Sequence, residues 1–252
     1  MQNESGYIQF ANSDQNPSNL LSIYNADSIR SCISSVLPRP DNSETQKIVL
    51  ESCQAIAYFT NQSTASVSFD IYDCVPRRDM PQQGQAASND PITMWQQGML
   101  DQGIALDTNP LAVVGVTPFQ SPMFCESWKI MKVSKVILPQ GGNHEHRVHI
   151  GPNSNFNRAT MRNNDYYLKG FSAFTFVVVR GFPVDGVALN TGVPNTVTTS
   201  GGKLDFVTTY KYTMTSISTA ESNIAIVDRL LTVAQASMIN IGSGQVANPQ
   251  NA

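Results

Sequence analysis

All three histidines of the chain fall within six residues, His144-Glu145-His146-Arg147-Val148-His149. On a strand, His-x-His turns both rings to one face, which is the geometry of a bidentate metal site. His144 and His146 are therefore the candidate metal ligands. No histidine follows His149, so a third ligand would have to be Glu145 or a distant acid. The alternative is a set of surface or interface histidines, with no metal and no cofactor. The basic residues of the same region suggest a second chemistry, contact with a polyanion. Lys129, Lys132 and Lys135 lie on the strand before these histidines, Arg147 lies among them, and Arg77 and Arg78 follow a strand ending at Val75. A regular strand sends Lys132 and Lys135 to opposite faces, so the group is not one patch. Its competing reading is a set of solvated charges that guard a sheet edge against unwanted pairing.

Other catalytic patterns are missing. There is no Gly-x-Ser-x-Gly elbow, and every histidine sits in the one segment. Ser200-Gly201-Gly202-Lys203 has glycines before a lysine but not the spacing of a phosphate loop, and reads as a loop. Cys32, Cys53, Cys74 and Cys125 form no Cys-x-x-Cys pair, which excludes zinc-ribbon and thioredoxin-like sites and leaves reduced thiols of an intracellular protein. The chain is expected to be no enzyme.

Composition supports a sheet-rich, self-associating body. Of the 252 residues 41% are apolar and only 14% charged, with a net charge of −3. That balance argues against non-specific nucleic-acid binding by the folded body. The opening MQNESGYIQF has no signal-peptide character, and no apolar run suits a membrane span.

The elements follow from periodicity. Residues 1–40 read as an extended N-terminal arm. Ile48 to Phe59 reads as a strand, and Val67, Phe69 and Ile71 alternate with Ser68, Asp70 and Tyr72. Pro91 to Gly103 suits a short surface helix that Gly98 weakens. Leu111 to Val116 reads as a short strand. Trp128 to Leu138 is the clearest strand, with Ile130, Lys132, Ser134 and Val136 on one face and Met131, Val133, Lys135 and Ile137 on the other. Gln140-Gly141-Gly142-Asn143 predicts a hairpin. Phe171 to Val179 is a nearly unbroken aromatic and β-branched run, expected to be a buried central strand. Leu204 to Ile217 alternates again. At the end, Ser218 and Glu221 form a capping box, and Ile224, Val227, Leu231, Ala234, Met238 and Ile241 recur at spacings of three and four. This predicts an amphipathic helix over 218–241, against a competing final strand at Ile224 to Leu231. The expected fold is all-β, one domain over residues 1–252: an eight-stranded antiparallel jelly-roll sandwich with long loops and a C-terminal helix.

Several segments in order carry a family resemblance. They are Asp70-Ile71-Tyr72-Asp73 with Arg77-Arg78-Asp79, Pro91-Ile92 with Trp95-Gln96-Gln97-Gly98, Thr117-Pro118-Phe119 with Ser121-Pro122-Met123-Phe124, Trp128-Lys129, Val133-Ser134-Lys135-Val136, and Gly142 with His144-Glu145-His146-Arg147-Val148. Together, from Asp70 to Ile150, they resemble the capsid protein of small circular single-stranded DNA viruses that encode a replication initiator, the circovirus-like group. The resemblance implies a single jelly-roll subunit that self-assembles into an icosahedral shell of about 60 copies around a genome. The partners it implies are copies of the chain itself, packaged nucleic acid and an unspecified host receptor. The place it implies is the virion, and the host nucleus or cytoplasm during assembly. Arg77, Arg78, Lys129, Lys132, Lys135 and Arg147 would face nucleic acid. Trp95, Trp128, Ile224, Val227, Leu231 and Met238 would lie at subunit contacts, where aromatics are enriched. Capsid proteins of this group usually open with an Arg-rich arm, whereas this sequence opens Met1-Gln2-Asn3-Glu4. Two other functions fit a jelly roll: a carbohydrate-binding module, supported by exposed aromatics on one sheet face, and a metalloprotein similar to the cupins that uses His144 and His146.

Overall fold

The computed structural model describes residues 2–11, 14–24, 47–81, 89–102, 110–151, 154–157, 165–184, 198–217 and 224–230. In chain order the strands are β1 (Gln2–Phe10), β2 (Gln15–Ile23), β3 (Lys47–Asn61), β4 (Val67–Pro76), β5 (Met80–Pro81), β6 (Trp128–Leu138) and β7 (Asn143–Ile150). They continue with β8 (Ser154–Asn157), β9 (Asp165–Tyr167), β10 (Ala173–Gly181), β11 (Pro183–Val184), β12 (Thr198–Thr199), β13 (Gly202–Ile217) and β14 (Ile224–Leu230). Two helices, α1 (Pro91–Asp101) and α2 (Pro122–Ser127), lie between β5 and β6.

Eight of these strands make two antiparallel sheets. The first runs β1-β13-β3-β7 and the second β2-β10-β4-β6. The fold is an all-β sandwich. Two strands are long enough to serve several neighbours. β13 takes β1 along Gly202 to Tyr210 and β14 along Lys211 to Ile217, while β3 takes β7 along its second half and β8 along its first.

Layering explains the hydrophobic pattern. Between the sheets lies a core of Leu21, Phe59, Phe69, Ile71, Val177 and Leu204. On the outer face of the second sheet, Tyr72, Phe174 and Phe176 pack under α1 and α2 against Trp95, Phe124 and Trp128. Both faces of β10 are thus buried, which is why the segment around it reads as an apolar run rather than an alternation. α1 starts where Asp90 accepts hydrogen bonds from the amides of Ile92 and Thr93, with Pro91 at its first turn. Gly98, expected to weaken this helix, is where α2 packs. A Cβ there would overlap Ser121 Oγ and stand 2.9 Å from Met123 Cβ.

Several expectations are corrected. The segment read as an extended arm supplies β1 and β2 and so enters both sheets up to Ile23; residues 25–40 lie outside the described residues. Leu111 to Val116 is not a strand. A 3₁₀ turn covers Pro110–Ala112, and the Gln15 side chain ties the loop. Its amide donates to the Leu111 and Val116 carbonyls and its oxygen accepts from Gly115 N–H. The C-terminal helix over 218–241 is contradicted at Ile224–Leu230, where the chain is β14; residues 231–241, with Leu231 and Met238, lie outside the described residues. The physical reason is the bare edge of β13 beyond the end of β1. A partner strand satisfies the amides there, and β-branched Ile224, Ile226 and Val227 suit that pairing. Trp95 and Trp128 are not at the surface: both are buried in the chain's own second core.

Candidate functional site: the edge formed by β6 and β7

The turn between β6 and β7 does not close a hairpin. Among the described residues β6 pairs only with β4 and β7 only with β3, so the chain passes here from one sheet to the other. Buried Asn61, at the end of β3, holds the crossing. Its amide donates to the carbonyls of Ala65, Leu138 and Pro139 at 2.9–3.0 Å. Its backbone bonds both ways with the Gly141-Gly142 turn, in which Gly141 takes a φ of 67°. The consequence is that two edge strands, one from each sheet, run along the same side of the sandwich.

β6 carries a bulge. Asp73 pairs with Lys132 but Cys74 pairs with Ile130, leaving Met131 as the extra residue. Strict alternation put Lys129 on the face opposite Lys132. The bulge resets the count and brings both to the face that looks toward the first sheet, beside Val75 and Asp73. Ile130 moves the other way and packs into the second core against Cys74. Lys135 remains on the outer face, opposite Asp70. Lys129, Lys132 and Lys135 are exposed and make no ion pair with another described residue, whereas Arg78 pairs with Glu126 at 3.5 Å and Arg147 with Glu145. Arg77 is fixed rather than free, its Nε donating to the Trp128 carbonyl. Between and just after the lysines the same strand exposes Met131 (60%), Val133 and Ile137 (62%). β6 is thus an eleven-residue edge strand carrying three unpaired cations and an apolar ridge.

β7 turns His144, His146 and Val148 inward and Glu145, Arg147 and His149 outward. The two inward histidines do not converge on a metal. The His144 ring lies against Phe59 and Phe69, at centroid distances of 6.3 and 6.1 Å. His146 is 3% exposed, and its Nε2 lies 3.0 Å from Asp73 Oδ1, across the gap between the sheets. An ionised carboxylate only accepts, so the imidazole donates. The same Asp73 oxygen accepts the Thr175 hydroxyl of β10 at 2.7 Å. Among the described residues no three His, Cys, Asp or Glu side chains gather as metal ligands.

Burial pushes His144 below the usual imidazole range, and nearby His146 and Lys132 add to that while Glu145 opposes it. On the outer face of the second sheet, burial and the Asp70 charge push the Tyr72 phenol up to about 12, with Arg180 opposing. Asp70 itself is buried and paired with Arg180 at 3.0 Å. Burial also pushes the Cys74 thiol well up, and Cys53, Cys74 and Cys125 are all free thiols; Cys32 lies outside the described residues.

Sequence reasoning located the histidines and lysines but missed Asp73, Thr175 and Asn61. Asp73 had a usable signal: it continues the Val67, Phe69, Ile71 series, so it is a charge at an inward position. Ile224 and Val227 belong to β14, which pairs with β13. No helix among the described residues is long and apolar enough to cross a membrane. Neither a protein-family model nor a curated protein matches this chain.

Proposed function

We propose that the chain is an architectural subunit, a jelly roll whose copies associate into a closed shell, with no catalytic turnover. Its support in the fold is strand order. Counting only the eight principal strands from the N-terminus, the sheets read 1-8-3-6 and 2-7-4-5, the connectivity of two Greek keys wound into a jelly roll. The observation that carries the self-association is β6. A long edge strand with an apolar ridge is a surface that pairs or aggregates unless it is covered. Its lysines act as gatekeepers until a complementary partner is met. The circovirus-like resemblance of Asp70 to Ile150 agrees with this role. It extends the proposal to a virion shell of about 60 copies with closed symmetry. Lys129 and Lys132, brought to one face by the bulge, are then the best placed of the basic residues for packaged nucleic acid, and Arg77 the worst.

Light scattering and negative-stain microscopy of the purified chain test the proposal. Uniform particles are expected, and Ile137→Lys or Val133→Lys should reduce them to small species with the fold intact. A chain that stays monomeric at high concentration refutes it.

One observation favours a second reading, a glycan-binding module. Tyr7 (61% exposed) and Tyr58 stand on the outer face of the first sheet, two strands apart, among polar neighbours such as Gln54 and Thr60. Lys203 Nζ sits 4.6 Å from the Tyr7 ring centroid. Tight glycan binding by a monomer, lost in Tyr58→Ala, would select it.

A further inference from the structure

The inward face of β7 forms a polar seam that neither reading of function uses. His146 reaches across the sandwich to Asp73, and Thr175 closes the group from β10. Two residues away on the same face, His144 is wedged between the seam and the aromatic core at Phe59 and Phe69. We propose that this seam is an acid-sensitive latch, in which protonation of His144 loosens the β7 edge from the second sheet.

The groups around His144 come from four strands. From β6 it faces Lys132, and Lys129 shares that face of the strand. On its own strand it has His146, and Glu145 on the opposite face, which is tied to Arg147. From β3 it meets Phe59, and from β4 it meets Phe69, with Asp73 already accepting from both His146 and Thr175. A proton on His144 therefore adds positive charge beside a lysine and a second imidazole without gaining a free counter-ion. The two histidines thus have separate parts: His146 anchors the strand through Asp73 and His144 senses acid. β7 is the strand able to respond, since among the described residues it is paired on one side only, with β3.

Hydrogen exchange of the Asn143–Ile150 amides tests this at pH about 7.5 and about 4.5, an interval that extends below the ordinary imidazole range because burial lowers His144. After correction for intrinsic exchange rates, the wild-type chain should lose β7 protection at the lower pH, while His144→Phe should keep equal protection at both. If His144→Phe does not fold, His144→Leu gives the same contrast. An NMR titration of the wild-type His144 ring must then fall in the interval where protection is lost. Light scattering on the same samples separates the latch from the shell reading. Loss of protection at unchanged particle size supports the latch whether the chain is assembled or monomeric. Any of four results overturns it: wild-type protection independent of pH, the same loss in His144→Phe or His144→Leu, a His144 titration outside the interval, or loss seen only when particle size changes.

Discussion

Replacing Asp73 by alanine removes one carboxylate from the seam between the sheets and strands two buried donors. His146 Nε2 loses its 3.0 Å partner and the Thr175 hydroxyl its 2.7 Å partner. An unsatisfied buried donor costs about 1–3 kcal/mol, and breaking a buried ionic contact from one side about 3–5 kcal/mol. The Asp73 side chain is 15% exposed, so water relieves part of the loss and the expected destabilisation is about 2–4 kcal/mol. At a urea slope of roughly 2–3 kcal/mol/M, that moves the unfolding midpoint down by roughly 1 M. Trp95 and Trp128, both buried in the second core, report the transition by fluorescence. The reasoning makes a sharper demand on the triple variant. If the cost is mainly that of stranded partners, Asp73→Leu with His146→Leu and Thr175→Val recovers most of what Asp73→Ala loses, because removing all three polar groups together leaves no partner stranded. A coupling of about 1–3 kcal/mol is expected in the Asp73→Ala, His146→Ala cycle. A single-variant cost below about 0.5 kcal/mol, or a coupling indistinguishable from zero, would show that the bond is not holding the sheets together.

Three further outcomes are expected. Trp128→Ala should destabilise by about 3–5 kcal/mol by opening a cavity beside Tyr167 and Phe174, and the indole bond to the Asn89 carbonyl goes with it; urea unfolding measures this, and a neutral effect would return Trp128 to the surface. Gly98→Ala should destabilise, since the roughly 1 kcal/mol gained in helix propensity is outweighed by about 1–3 kcal/mol of overpacking against Ser121 and Met123 in α2. Tyr72 should resist ionisation until about pH 12 in an ultraviolet titration, and Tyr72→Phe should remove one tyrosine from that late step. The unfolded chain releases the Tyr72 proton near 10 while the folded chain holds it, so this residue makes stability fall as pH climbs from about 10 through 12.

Much of the architecture was legible one strand at a time. The alternation of Val67, Phe69 and Ile71 and the apolar run through Val179 depend on side chains facing a core, and that requirement leaves a two-residue or unbroken period in the residues themselves. The low charge and the histidine cluster were equally plain. Features that depend on a neighbouring strand were not. The spacing of Ile224 and Val227 suits a helix, but an open length of β13 claims that segment as β14. Gln140 to Asn143 has the residues of a hairpin turn, but Asn61 at the far end of β3 makes it a crossing between sheets. Trp95 and Trp128 have the composition of an interface, but a layer of helices over the second sheet encloses them.

The candidate site divides in the same way. Residue type and order alone determined that three imidazoles and three lysines lie on two successive strands. Only the tertiary structure decided which faces they take and what they touch. The bulge at Met131 depends on pairing with β4, and it moves Lys129 to the face of Lys132. The partner of His146 lies 73 residues away in the other sheet, and a contact between layers leaves no periodic trace in either strand.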